Sequence, residues 1–218
     1  MKKITVFFLS ASLLMCQLLY AQITIHPPSK KISNDTIPRF GKIASPAGVG
    51  TITTSVGITN TCLGSGFTIN YSTTNATFMP GNVFTAQLSN ETGSFTSPTT
   101  IGTLASTATL GTISVTIPSN SVPGSNYRIR VVSNDPFITG SSSSAFTISS
   151  TNTWTGAVNS AWENAGNWSC GLVPNANTDV VINSGTVVVN SNAVCKSLNV
   201  SPGVNLTVNT GFALTIIQ

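Results

Sequence analysis

Charge is what this sequence has least of. Asp, Glu, Lys and Arg make up 6 % of its 218 residues, against about 25 % in ordinary soluble domains. So little charge leaves three classes: a membrane protein, an extracellular β-protein surfaced with hydroxyls and amides, or a disordered chain. Disorder is excluded by the dense β-branched and aromatic content, which supplies the apolar surface a disordered chain lacks. Histidine occurs once, as His26 between an isoleucine and two prolines. A Ser-His-Asp arrangement therefore has no base outside that proline-rich stretch. Zinc is disfavoured too, because there is no CxxC pair and no histidine near a cysteine. The acids are Asp35, Glu91, Asp135, Glu163 and Asp179, with Glu163 and Asp179 of the last module as the candidate pair. A glycosidase needs two carboxyl groups flanking one bond, and no recognisable pair is present. Gly64-Ser65-Gly66 is too short for a phosphate loop and no helix follows it. The expectation is a protein that is not an enzyme, with no cofactor and no metal.

Long apolar runs are also missing, with one exception. Ile4 to Leu19 is nearly charge-free and follows Met1-Lys2-Lys3, and Leu19-Tyr20-Ala21 ends on a small residue. This is the pattern of a secretory signal peptide over residues 1–21. The run is short for a spanning helix, which needs roughly 20 residues. The expected location is outside the cytoplasm, secreted or at a bacterial cell surface, with no transmembrane segment once the signal is removed. Removing it leaves seven basic residues against five acids. Four of the seven, Lys30, Lys31, Arg39 and Lys42, lie in residues 22–50 with Asp35. The remainder carries three basic and four acidic residues. The basic pI is thus a property of the leader and a short tether, and nucleic acid is excluded as a partner.

Residues 22–50 contain Pro27, Pro28, Pro38 and Pro46 without sustained periodicity, which is linker chemistry. From Thr51 to Ser149 short alternating runs are split by turn residues. Thr51–Ile58, Phe67–Tyr71, Val83–Leu88, Ile101–Leu104, Ile113–Ile117, Tyr127–Val132 and Ala145–Ile148 read as strands. Breaks fall at Asn60-Thr61, Pro80-Gly81-Asn82 and Asn90–Gly93, with prolines at 98, 118, 123 and 136. No window shows helical spacing. Some seven or eight short strands in roughly 100 residues point to an immunoglobulin-like sandwich. Tyr127 follows the turn Pro123–Asn126 and opens an alternating strand, the place of a structural tyrosine corner. On that alternation Tyr127, Ile129 and Val131 face inward and Arg128 and Arg130 outward.

Gly81–Ser89, Gly93-Ser94-Phe95, Ile117-Pro118 and Tyr127–Ser133 resemble the Ig-like repeats of large secreted, adhesin-like surface proteins of the Bacteroidota. The resemblance covers residues 51–149 and implies a stalk or adhesin-like module. Its implied partners are cell-surface proteins or glycans. Such proteins commonly end in a sorting domain, and none is evident here.

The last stretch begins with Trp154, Trp162 and Asn167-Trp168. Together they resemble the segment that opens β-helix or autotransporter-like repeats. Bursts follow at Val180–Ile182, Val187–Val189, Leu198–Val200, Leu206–Val208 and Leu214–Ile216. Their spacing drifts around 16–19 residues, which suits a Trp-rich cap and partial β-solenoid with two short strands per turn over residues 150–218. A second small sandwich is the other reading. The tryptophans are either a sugar-stacking platform, which makes Trp154, Trp162 and Trp168 candidate ligand-binding residues, or a plug for the open end of the coil. Cys170 and Cys195 bracket the first turn of bursts and are the expected disulfide in an oxidising compartment. Cys62 is left over, as a buried thiol or a partner for another chain. The overall expectation is an all-β chain: an immunoglobulin-like sandwich followed by a short β-solenoid segment. It is a non-catalytic adhesion or surface-architecture protein, or alternatively a carbohydrate-binding accessory module.

Overall fold

The computed structural model describes residues 50–218. The signal peptide at 1–21, His26 and the linker up to residue 49 lie outside the described residues. The described part is all-β, with several sheets arranged around two apolar cores.

The first core is sandwich-like and built from ten strands. In chain order these are β1 (Thr51–Ser55), β2 (Asn60–Cys62), β3 (Gly66–Thr74), β4 (Val83–Leu88) and β5 (Thr99–Ala105). Then come β6 (Leu110–Thr116), β7 (Gly124–Tyr127), β8 (Ile129–Asn134), β9 (Phe137–Ser142) and β10 (Phe146–Ser149). One sheet has the order β1-β3-β6 and the facing sheet β5-β4-β8-β9; a smaller sheet, β2-β10-β7, completes the layer structure. Period-2 alternation decides which side chains enter the core. Ile69 and Tyr71 of β3, Phe84 and Ala86 of β4, Ile113 and Val115 of β6, and Ile129 and Val131 of β8 are all buried. Phe84 lies at its centre, with ring centroids 4.2 Å from Tyr71 and 4.7 Å from Phe78.

Three strands come from stretches that read as breaks, turns or unpatterned chain: β7 occupies Gly124–Tyr127, so the expected turn is a strand paired with β10 and Tyr127 closes it instead of opening β8. β2 begins at Asn60-Thr61, and its polar residues are tolerated because it pairs on one side only, parallel to β10. β9 reads poorly because Gly140 interrupts its alternation. The glycine is required: a Cβ there would meet the Val131 carbonyl and, at 2.9 Å, the Ile52 carbonyl, where β1 crosses close to β9. Register shifts in the β8–β9 pair between Arg130 and Val132. The Val131 N–H donates instead to the Thr54 hydroxyl of β1, 3.0 Å away, so a buried threonine satisfies a buried amide.

The second core begins one residue after β10. Its strands are β11 (Thr151–Thr153), β12 (Asp179–Ile182), β13 (Thr186–Val189), β14 (Ala193–Cys195), β15 (Ser197–Val200), β16 (Asn205–Val208) and β17 (Leu214–Ile216), with one 3-10 turn at Ala165–Asn167. All of their pairings are parallel: β11-β12-β15, β13-β16 and β14-β17. Val180 lies opposite Leu198 and Val187 opposite Leu206. The offsets are 18 residues in the first ladder, 19 in the second and 21 in the third. The chain forms three strands, β12, β13 and β14, rather than two before β15 pairs back on β12. The third, β14, is three residues long, too short to register as an apolar burst.

Polar side chains in the connections between strands are bonded to segments 19 to 21 residues away. Asn209 donates to the Asn190 amide oxygen at 2.7 Å, and Asn192 accepts from the Ala213 N–H at 3.0 Å. At Gly185 and Gly203, with φ of 91° and 87°, the chain turns through the left-handed region that glycine enters without steric cost.

Candidate functional site

A disulfide joins the two cores, and the geometry around it starts with Asn152. Its side chain is buried on β11. The Oδ1 accepts from the Cys170 N–H at 3.0 Å and from the Ser169 hydroxyl at 3.3 Å, while Nδ2 donates to the Leu172 carbonyl at 2.8 Å. These bonds pin the loop after Trp168 to β11 and leave Cys170 beside the end of β2. Cys62 and Cys170 form the disulfide, with Cα atoms 5.8 Å apart.

The expected Cys170–Cys195 bond is therefore not the one formed. Cys195 is a free thiol, fully buried in the second core. Burial, and then the nearby Asp179 charge, push its pKa up. The physical reason is direction: on β14 the Cys195 side chain points inward, whereas Cys170 sits on a loop facing the sandwich. Proximity in sequence favours the nearer cysteine only weakly, since each doubling of loop length costs about 0.6 kcal/mol. Side-chain direction outweighs that.

The tryptophans are also placed differently from a sugar-stacking platform. Trp154, Trp162 and Trp168 are 7 %, 0 % and 3 % exposed and offer no open face to a ring. They pack edge to face, with Trp168 centroids 5.0 Å from Trp154 and 4.8 Å from Trp162, the arrangement aromatic quadrupoles favour. Trp168 Nε1–H donates to the Trp162 carbonyl at 2.8 Å. Around them Val180, Ile182, Val187 and Val189 complete the core. Beneath the cluster, buried Asn167 makes four bonds. Its Oδ1 accepts from the Val158 and Asn159 amides, and its Nδ2 donates to the Asn159 side chain and the Ala161 carbonyl.

The carboxylates serve as fasteners. Asp179 accepts from the Ser150 hydroxyl at 2.5 Å and the Ser197 hydroxyl at 2.6 Å, and Lys196 lies 3.6 Å away. The two hydroxyl donors are the main reason its pKa is held below the ordinary carboxylate value, with burial opposing and Lys196 assisting. At Glu163, burial would raise the pKa, but the Asn190 amide and the Ser191 hydroxyl and amide outweigh it and the pKa is lowered. A general acid needs the opposite shift. Tyr127 donates to the Val122 carbonyl at 2.6 Å, and burial, with Glu91 second, raises its pKa. Arg128 donates to the Ser143 carbonyl, while Arg130 bonds Gln87 and lies 4.4 Å from the Phe95 ring centroid.

Concave space lies on this same side of the molecule. A groove of about 320 Å³ is lined by Glu91, Ser97, Asn120, Ser121 and Tyr127 among others; one of about 190 Å³ shares Asn120 and Ser121 and reaches Ser150 and Lys196. Both linings mix hydroxyl and amide side chains with apolar ones, Leu88 and Val122 in the larger groove and Leu63 and Pro123 in the smaller. Among the described residues no three or more His, Cys, Asp or Glu gather as metal ligands. No helix among them is long and apolar enough to cross a membrane.

Residues 153–218 match a domain of unknown function, DUF8693. The matched segment takes in the Trp cluster, Cys170, and β12 to β17. Comparison with curated proteins finds no match. Among solved structures, two are superoxide reductases (neelaredoxins) from Ignicoccus hospitalis, one of them from a form described as T24K. The T24K structure is 10 % identical, with 45 % of this chain and 80 % of that chain covered and a TM-score of 0.31. The other is 11 % identical, with 46 % and 83 % covered and the same TM-score. These are distant likenesses.

Asn152 and Asn167 were invisible to sequence reasoning, since this chain is rich in asparagine and nothing local marks the two that are buried. Cys62 was visible as a residue but not as a partner.

Proposed function

We propose that this is a non-catalytic, extracytoplasmic modular protein of adhesion or surface architecture. In this reading an immunoglobulin-like sandwich leads into the first turns of a β-solenoid, and the chain bears load between a tether and a surface partner, either a protein or a glycan. The observation that carries it is the Cys62–Cys170 bond, which spans 108 residues. Tension applied along the chain enters at β1 and β2, crosses the sulfurs and leaves through the loop at Cys170. Strands β3 to β10 lie inside the closed loop and cannot be drawn out by that tension. A covalent bypass of this kind is useful to a stalk, and a disulfide persists in the oxidising compartments where stalks operate.

The test is single-molecule extension of the chain held at both ends, oxidised and reduced. The reduced chain should lengthen further by about 390 Å, from 108 residues at about 3.6 Å each. Equal contour lengths in the two states would remove the load-bearing reading.

A further inference from the structure

We propose that the two grooves sharing Asn120 and Ser121 form one binding site for an uncharged oligosaccharide, which narrows the surface partner proposed above to a glycan. Strand register places the site at one end of the sandwich. Thr51 lies opposite Thr74 and Gly66 opposite Thr116, so the chain enters β1 at one end. The connections at 89–98 and 117–123 lie at the other. The larger groove is lined by both connections, and the smaller adds Asn177 and Lys196 of the second core. The larger alone, about 320 Å³, reaches the usual size of ligand sites, about 300–1,000 Å³, which favour such junctions between modules. Loops set on a rigid scaffold are also where binding residues concentrate.

The walls are fixed before any ligand arrives. Asn90 Oδ1 accepts from the Thr92 and Ser94 amides at 3.1 and 2.8 Å, and the Tyr127 hydroxyl holds the Val122 carbonyl. Gly124 lets Glu91 close in, since a Cβ at 124 would lie 2.9 Å from the Glu91 Cβ. Binding therefore orders little of the protein, which is the advantage of preorganisation.

Side-chain chemistry selects the ligand. Ser97, Asn120, Ser121 and Asn177 in the linings each combine a donor with an acceptor, as a sugar hydroxyl does. Glu91 has no ion-pair partner among the described residues, and its two oxygens can accept from neighbouring hydroxyls. An acidic ligand would meet that carboxylate as a like charge. Lys196 is already held by Asp179 at 3.6 Å, so no uncommitted cation draws an anion in. Val122, exposed at the rim, and Pro118 give apolar patches that suit the C–H face of a ring. A lipid or an apolar peptide would need a continuous apolar floor, which this mixed lining lacks.

Titration calorimetry of the full chain, disulfide intact, tests the site with neutral cello-, xylo-, manno- and laminari-oligosaccharides and with an oligogalacturonide as the acidic counterpart. The expected result is binding of at least one neutral series and none of the acidic one. Asn120→Ala, at the point the grooves share, should raise the dissociation constant about tenfold, as for the loss of one or two hydrogen bonds. Glu91→Gln, which keeps the outline of the wall, should admit the acidic series. Thr112→Ala, on the exposed face of β6, should change nothing. The urea midpoint of each variant reports that it has kept its fold. Silence across every neutral series overturns the proposal but leaves the load-bearing reading to its own extension test, with a protein as the partner. Binding that Asn120→Ala leaves intact, or that Thr112→Ala weakens equally, overturns it too, as does acidic binding by the parent chain.

Discussion

At the scale of single residues, polar side chains do the joining that hydrophobic packing cannot. Asn152, Asn167 and Asp179 each satisfy several groups at once, Asn152 from within β11, Asn167 from the 3-10 turn and Asp179 from the first position of β12. Asp179 makes this testable through pH. Its folded pKa is depressed, so it contributes stability that is present above the unfolded value of about 3.9. That contribution is lost as pH falls through the lower folded value. In acid melts, Asp179→Ala should therefore be less stable than the parent near neutrality, and the gap should narrow as the pH drops below about 4. A gap that stayed constant down to strong acid would mean that the Ser150 and Ser197 hydroxyls gain nothing from the ionised form.

At the scale of elements, most strands were legible, because a period of two is a local signal. The alternation in β3, β4 and β8 and the bursts at β12, β13, β15, β16 and β17 all lie where the residues indicate. β2, β7, β9, β11 and β14 were not legible. Three of them are three residues long, β7 lies on a stretch that reads as a turn, and β9 carries a glycine whose reason lies on another strand. Gly140 is the sharpest case. Gly140→Val forces a side chain between β9, the Val131 carbonyl and Ile52, and should cost about 1–3 kcal/mol, the usual range for overpacking. Urea unfolding measures it, and an unchanged midpoint would contradict the close passage of β1 over β9.

The whole molecule is organised by one covalent bond between two cores that are adjacent in the chain. A loop of 108 residues closed by a disulfide is stabilised by roughly 4–5 kcal/mol in the chain-entropy model. Cys62→Ser and Cys170→Ser should each lose an amount of that order in denaturant unfolding, and reductant should reproduce the loss in the parent chain. If reductant leaves the parent's midpoint unmoved, the two cores do not depend on the bond. The candidate grooves belong to this scale too. They take residues from β4, β7 and the connections around 97 and 118–122, and one of them reaches Lys196, positions that no sequence window brings together.

By itself the sequence determined that this is an all-β chain of low charge, where most strands run, and where the composition changes near residue 150. Those properties are set by short-range alternation and by residue type. Only the tertiary structure decided which cysteine meets Cys170, that the three tryptophans turn inward, and that a further strand, β14, lies between β13 and β15. These depend on the direction of side chains separated by tens of residues, and spacing carries no information about direction.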